Sequence, residues 1–377
     1  MGFCPPYTAP SDIGNVYVCT YATRPTGASL YEGRVIFETD TNTLAVYVDG
    51  AWQQIPQGSS GFRNAILNGA ADVAQRGALF TTLGTSYHLD QWLTYHDGTG
   101  TDIIEQNPIY AAAYGSLGLR AKNYMRWRNN AVGTGSTFRL NYQNIEDVTT
   151  FNGQYVTLSF QAAGAYGYTG NYNLFVIQYF GSGGSPSGSV TPLSTTFAVT
   201  DGVMRKYSFT FFMPSVQGKT LGTDGKHCTY VRFGVPSPNA AFCLDATEIQ
   251  FELGTAPTPF ERRPYQTELA LCQRYYQRYA ASSINMAFAA GVMYDTTLFL
   301  GPFTFPVMRI APAFNFANGT YDVVTGGSVT IPTPANVVAG NIEPFCAQIS
   351  AIIPAVTLGH GGYIRLNTGY FDLSAEL

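Results

Sequence analysis

The feature that most constrains this chain is a two-residue alternation of apolar and polar side chains that returns along much of its length. Tyr155-Val156-Thr157-Leu158-Ser159-Phe160, Lys206-Tyr207-Ser208-Phe209-Thr210-Phe211 and Glu248-Ile249-Gln250-Phe251-Glu252-Leu253 all follow it. Successive side chains of a strand point to opposite faces, so such a run buries one face and leaves the other for water; no helix presents that pattern. In the third run Ile249, Phe251 and Leu253 are expected to meet a core while Glu248, Gln250 and Glu252 face solvent. Leu174 to Phe180 is more uniformly apolar, as a central strand would be. About eight such segments, separated by turn clusters such as Gly181-Ser182-Gly183-Gly184-Ser185-Pro186, predict an all-β fold built on an antiparallel jelly-roll sandwich. The crossover helices that a parallel α/β sheet requires are missing from the pattern.

Composition agrees. Charged residues make up 12% of the chain, and Gly (40), Tyr (26) and Phe (25) take their place, which suits short strands and tight turns. The net charge of −4, with no Lys/Arg-rich block, argues against a nucleic-acid partner. No run reaches the roughly 18 apolar residues of a membrane helix, so no membrane insertion is expected. The opening MGFCPPYT has no basic region followed by an apolar stretch, so no secretory signal is expected. Cys4, Cys19, Cys228, Cys243, Cys272 and Cys346 are widely spaced and include no CxxC, which predicts mostly buried thiols made in a reducing cytoplasm.

Four segments are expected along the chain. Residues 1–57 read as a small β-meander, with a strand at Arg34-Val35-Ile36-Phe37, a turn at Asp40-Thr41-Asn42-Thr43, and a tight Asp49-Gly50 turn into Ala51-Trp52. So small a sheet has too little core of its own and must pack on a neighbour. PQGSSG (56–61) is a linker by composition, and 62–262 carry the sandwich. Beyond Pro264 the period changes: Leu269, Cys272, Tyr276 and Tyr279 share one helical stripe, predicting a linking helix over 264–282. Strands and Pro/Gly turns return over 284–377 as a C-terminal β tip domain.

Several stretches resemble, in order, a β-sandwich domain of tailed-phage tail fibres and other virion structural proteins. They include Asn64-Ala65-Ile66-Leu67-Asn68-Gly69, Gln75-Arg76-Gly77, Tyr87-His88-Leu89-Asp90-Gln91-Trp92, and Ile145-Glu146-Asp147-Val148. Phe180 to Ser187 and Pro214 to Gly222 match too, as do Glu248 to Gly254, Ala256 to Pro264 and Glu268 to Tyr276. Together these cover about 64–279. Arg24-Pro25 through Leu30 to Asp40 is similar to a short module near the start of virion proteins. The resemblance implies a fibre or adhesin subunit on the virion, a homotrimer, attached to other virion proteins through its N-terminal segment. Its sandwich would be of the carbohydrate-binding-module kind, and its partner a host cell-surface glycan or protein.

A sugar ring offers an apolar C–H face and a rim of hydroxyls, so exposed aromatics flanked by Asn, Asp or Arg are the natural candidates. Tyr124, Trp127 and Arg128 meet that description, with Tyr166, Tyr168 and Tyr172 in the loop 164–173. Core packing or a subunit interface is the competing role for each. In carbohydrate-module sandwiches an ion often ties the first strand to the last, so Asp72 and Asp245 are candidates for a structural calcium. His88, Asp90, His96 and Asp97 lie close together without making a metal site, and Asp295, Arg309, Asp322, Asn341, Glu343 and His360 are the polar residues of the tip. Gly133-Thr134-Gly135-Ser136-Thr137 lacks a P-loop lysine, and His227-Cys228 cannot face each other as base and nucleophile. No GxSxG or HExxH occurs, so no catalytic residues are expected. Three functions compete: glycan or receptor binding, a purely structural collar, baseplate or capsid-decoration role, and a depolymerase.

Overall fold

The computed structural model describes residues 17–39, 43–48, 50–55, 62–82, 84–109, 118–281, 286–325, 328–330, 336–353 and 360–377. The 40–42 part of the expected turn, Asp49, the linker 56–61 and Cys4 lie outside the described residues.

The first sheet holds β1 (Tyr17–Cys19), β2 (Val35–Glu38), β3 (Thr43–Val48) and β4 (Ala51–Ile55). β2 to β4 form the antiparallel meander, and β1 adds in parallel to β2. Its core is small: Cys19, Ile36 and Ala45, with Trp52 packed on them.

The sandwich contains β5 (Leu79–Thr82), β6 (Ser86–Tyr87), β7 (Leu93–His96), β8 (Thr101–Pro108), β9 (Asn123–Ala131), β10 (Arg139–Glu146), β11 (Tyr155–Gly164), β12 (Gly170–Tyr179), β13 (Val190–Val199), β14 (Arg205–Phe212), β15 (Cys228–Gly234) and β16 (Cys243–Leu253). One sheet runs β14-β11-β16-β9-β8-β5 and the other β13-β12-β15-β10-β7-β6. Within them, β9 to β16 take the two four-stranded orders β9-β16-β11-β14 and β10-β15-β12-β13, which is the jelly-roll winding. Trp127, Phe160, Phe197, Phe233 and Phe251 fill the space between the sheets, with Phe160 edge-on to Phe233 at 5.2 Å.

Three sequence expectations need correction, the first being Leu253, which is exposed instead of meeting the core. Glu248, Gln250 and Glu252 do not face water; all three are buried. Ala121 donates its backbone N–H to Glu248 at 3.1 Å, Glu261 to Gln250 at 2.7 Å, and Thr258 to Glu252 at 2.8 Å. Alternation reports that one face is polar, and the chain satisfies that face with its own backbone donors instead of solvent. The linking helix is also shorter than expected: α1 spans Tyr265–Gln273. Tyr276–Ala280 is strand β17, the first strand of the C-terminal sheet, so that domain begins before 284. The helical spacing of Tyr276 and Tyr279 is overridden by pairing with the last strand and by stacking of Tyr279 on Phe371 at 5.1 Å.

The C-terminal domain continues with β18 (Met286–Met293), β19 (Leu298–Thr304), β20 (Ala313–Asn315), β21 (Gly319–Thr325), β22 (Ser328–Thr330), β23 (Val337–Gly340), β24 (Cys346–Ile352) and β25 (Gly361–Ser374). Its sheet is ordered β22-β21-β25-β18-β19-β24-β23, over a second core that includes Phe299, Tyr321, Ile349 and Phe371. Contacts tie it to the sandwich. Arg76 pairs with Glu376 at 2.6 Å, Gln75 Nε2 donates to the Tyr276 carbonyl at 2.9 Å, and Tyr275 donates its hydroxyl to Glu146 at 2.8 Å.

In the cluster His88, Asp90, His96 and Asp97, three members make framework hydrogen bonds. Asp90 accepts from the Gln75 backbone and side chain, and Asp97 accepts from the Thr137 and Phe138 N–H groups. His88 is fully buried beside Phe80 and accepts from the Leu89 N–H through Nδ1. Burial lowers its pKa from 6.5 to about 3. Above pH 6.5 the imidazole is neutral whether folded or unfolded. Below it the unfolded chain takes up a proton that the folded chain refuses, so stability is full above pH 6.5 and is lost as pH falls toward about 3. We expect urea unfolding at pH 7, 5 and 4 to show a decline of up to about 1.4 kcal/mol per pH unit from this residue. His88→Asn, which keeps an acceptor for Leu89, should flatten that slope; an unaltered slope would assign the acid sensitivity elsewhere.

Candidate ligand groove

The core sets which side chains turn outward. On β9, Met125 and Trp127 point into the sandwich, so Tyr124, Arg126 and Arg128 lie on its outer face. Three of the six aromatic and basic candidates are buried. Trp127 is 0% exposed and gives its indole N–H to Asp102 at 3.1 Å; the flanking Arg126 and Arg128 belong to the opposite face of the same strand. Tyr172 is fully buried against Phe197 at 5.8 Å, and Tyr124 is buried beside Ala163 and Met204. Tyr168 is half-buried on the core, 5.7 Å from Tyr172.

Tyr166 and Arg128 do lie at the surface. Tyr166 is 71% exposed at φ +54° and sits over Arg126 at 4.7 Å and Arg128 at 5.3 Å. Both guanidinium groups are already paired, Arg126 with Asp245 at 2.7 Å and Arg128 with Glu105 at 2.8 Å. Asp245 is thus held by both Nε and Nη2 of Arg126, while Asp72 accepts from Asn123 at 2.8 Å. The two carboxylates have different partners, and among the described residues no group of three or more His, Cys, Asp or Glu could hold a metal ion. Three of the polar residues of the tip serve its framework: Asp295 caps the turn at Thr297, Asp322 pairs with Arg365 at 2.6 Å, and Arg309 donates to the carbonyls of Ala375 and Glu376.

The open concavity is on the other sheet. Register places Tyr230 opposite Asn144 and Ile177, and Arg232 opposite Tyr142 and Phe175. The partners facing inward on these strands, Val231, Phe233, Ile145 and Val176, belong to the core. Tyr142, Tyr179 and Tyr230 consequently pave the outer surface of β10, β12 and β15. Tyr179 stacks on Tyr230 at 5.3 Å, and Tyr142 meets it edge-on at 6.0 Å. Arg232 lies over the Tyr230 ring at 4.0 Å and the Tyr142 ring at 5.0 Å. These tyrosines line a groove of about 540 Å³ whose rim includes Ser182, Asp224, Lys226, Tyr87 and Leu377.

The rim is built by two loops that touch. A Cβ on Gly222 would lie 2.4 Å from the Ser182 nitrogen, so only glycine permits the approach. Asp224 accepts from the Ser182 hydroxyl at 2.6 Å and from its N–H at 3.0 Å, which holds the carboxyl down to about 2. Asn144 donates to the Leu377 main-chain oxygen at 3.4 Å, but its own Oδ1 is buried without a partner. Burial opposes ionisation of Glu146 at the next row, yet hydrogen bonds from Arg274 and Tyr275 keep it below its ordinary range. Cys228 is pushed up to about 12 by burial and remains a thiol, so it offers no nucleophile. The five described cysteines are all free.

None of these groove residues was singled out by the sequence. Leu140, Tyr142 and Asn144 face outward, while Asn141, Gln143 and Ile145 face inward, so polarity on β10 runs opposite to what alternation suggests. Gln143 is satisfied inside by the backbone of Leu67, at 2.8 Å and 2.7 Å. The only available signal was the recurrence of Tyr with Asn and Arg on adjoining segments.

No protein-family model matches this chain, and no curated protein does. Among solved structures it is similar to a family 11 carbohydrate-binding module from Clostridium thermocellum in complex with a mixed-linked β-1,3-1,4 tetrasaccharide (10% identity, 48% of this chain, 96% of that chain, TM-score 0.30). It is also similar to the enzymatically active domain of bacteriophage CBA120 tailspike protein 4 (16% identity, 51% of this chain, 21% of that chain, TM-score 0.32). A third is a Stig cyclase from Fischerella sp. TAU (13% identity, 52% and 99%, TM-score 0.32). At these identities and scores neither ligand nor reaction passes from them to this chain.

The burial contrast is directly measurable. Trp127→Ala should cost about 3–5 kcal/mol in chemical denaturation, as for other large core side chains, whereas Tyr166→Ala should cost less than about 1 kcal/mol. Equal losses would contradict the outward placement of Tyr166.

Proposed function

We propose that this chain is a virion appendage subunit of a tailed phage, of tail-fibre or adhesin type, that binds a host-surface glycan in the tyrosine groove. One observation carries the reading: a concave floor of three tyrosines bordered by an unmatched amide oxygen and a guanidinium. Tyrosine faces receive the C–H side of sugar rings, and Asn144, Asp224, Ser182 and Lys226 meet the hydroxyls. The N-terminal sheet would attach the subunit to other virion proteins, its core among the described residues being only Cys19, Ile36 and Ala45 with Trp52.

The chain holds its ligand and does not cleave it. Glycoside hydrolysis needs a carboxylic acid still protonated at neutral pH beside a carboxylate. Asp224 and Glu146, the two acids at the groove and its margin, are both held on the ionised side. Assembly as a homotrimer draws support from the outer face of the C-terminal sheet. There Val292 (53% exposed), Leu298, Leu300, Ile352 (54%) and Val338 form one uncharged surface, the kind that marks protein contacts.

Tyr142→Ala and Tyr230→Ala should each weaken binding to fixed host cells about ten- to a hundredfold, with circular dichroism and oligomeric mass unaltered. Absence of saturable attachment by the intact protein would defeat the reading, as would full binding by the double variant.

A further inference from the structure

We infer that the sheet bearing the groove carries a second saccharide contact around Gly234, so that the ligand is a linear polysaccharide held along its length and not by its end; this rests on the groove being the glycan site. Gly234 closes β15 and is paired on both sides, with Leu140 of β10 and with Asn173 of β12. Neither ladder shifts register there, and its φ lies outside the left-handed region. Other strand glycines have a steric reason. At Gly164, Gly291 and Gly362 a Cβ would lie 1.9, 1.9 and 2.3 Å from a backbone oxygen. A Cβ on Gly234 would meet side chains instead: Leu140 Cδ2 at 3.2 Å, Asn173 Cβ at 3.5 Å and the Phe175 ring at 3.6 Å. A glycine inside a paired strand gives up cross-strand packing and marks a place where a ligand can come close to the backbone.

The missing side chain leaves a dent walled by Leu140, Asn173 and Phe175. It lies on the outer face, because the inward positions beside it, Phe233, Leu174 and Val176, belong to the core. Strand β7 continues the row, where Tyr95 pairs with Leu140 and is 37% exposed. The row Tyr95, Leu140, Gly234, Asn173 is uncharged and repeats the chemistry of the groove. Tyr95, Leu140 and Phe175 offer apolar surface for the C–H side of a sugar ring. Asn173 offers an amide that makes no side-chain hydrogen bond among the described residues. Both contacts lie on β10, β12 and β15. Tyr230 and Gly234 are four residues apart on one strand, about 13 Å, with Arg232 between them. One sugar ring cannot reach from one to the other. A terminal sugar would fill a single contact and leave the second to water, whereas successive rings of a chain laid along β15 fill both.

The test presents the intact protein with a panel of immobilised bacterial surface polysaccharides. The tightest binder is then partly hydrolysed and its fragments, from disaccharide to octasaccharide, are titrated in solution. Affinity should climb at least about tenfold with length and level off once both contacts are filled. Gly234→Leu fills the dent and Tyr95→Ala strips its edge. Each should bring the octasaccharide down about tenfold, toward the disaccharide, and leave disaccharide binding unaltered, which also shows that the variants are folded. Tyr230→Ala should weaken fragments of every length. A disaccharide that binds as tightly as the octasaccharide, or a length dependence that survives both Gly234→Leu and Tyr95→Ala, would overturn the inference while leaving the groove intact. Unaltered binding by the Tyr142→Ala, Tyr230→Ala double variant, or no polymer bound at all, would instead remove the groove from the glycan site and the inference with it.

Discussion

Everything else in the sandwich follows from the aromatic packing between its two sheets. Trp127, Phe160, Phe197, Phe233 and Phe251 must meet across a gap that holds only one interleaved layer, so each strand has a single permitted facing. Once Trp127 points inward, Arg126 and Arg128 must point outward. Once Val231 and Phe233 do, Tyr230 and Arg232 are left on the surface. The groove is in that sense the complement of the core: its floor consists of the side chains that the interior left over on three adjacent strands. A register slip of one residue would exchange floor for core, which is why the packing and the site cannot be separated.

The two outer faces are treated differently. Over β16 the chain folds its own segments back, and Glu248, Gln250 and Glu252 take backbone hydrogen bonds from 120–121, 258 and 261. The aligned polar groups there serve to hold that covering in place. Among the described residues no such segment closes the face of β10, β12 and β15, where tyrosine rings and an amide line the groove. Half-buried aromatic rings that pack with one another and still present a face to solvent keep an apolar surface available at small cost, since part of each ring is already shielded. An uncovered face of this composition, opposite a sheet whose central strand β16 the chain covers, is what singles out one side of the sandwich.

Much of this architecture was legible in the sequence, and the failures have physical causes. Strict alternation marked β11, β14 and β16 because one face of each is apolar, and the turn clusters marked their ends. Alternation could not say whether a polar face meets water or backbone, hence the error at Glu248, Gln250 and Glu252. On β10 it misleads outright, because Gln143 pairs inside with the backbone of Leu67 and Asn141 donates to Met125, so polar residues face inward and tyrosine faces out. Trp127 looked exposed because its neighbours are polar, but in a strand the neighbours of a core residue are always on the other face. The helix was overextended for a related reason: tyrosines at spacings of three and four fit a helical stripe, yet the pairing of Tyr276–Ala280 with β25 is a long-range contact that no local pattern contains.

The junction between sandwich and C-terminal domain bears on the groove itself. Leu377 lies at its edge, where its main-chain oxygen receives the Tyr87 hydroxyl at 2.9 Å and the Asn144 amide. Two residues earlier, Ala375 donates to the Tyr275 carbonyl, and Arg309 clamps the carbonyls of 375 and 376 from the C-terminal domain. Glu376 is buried against Arg76, with burial raising its pKa and the guanidinium opposing that rise. The end of β25 is therefore fixed from both sides, by the sandwich through Arg76 and Tyr87 and by its own domain through Arg309. One wall of the groove belongs to the C-terminal domain, so the seating of that domain and the width of the groove are set by the same few hydrogen bonds. A ligand that displaced Leu377 from Asn144 would act on both domains at once, whereas a ligand confined to the tyrosine floor would leave the junction as it is.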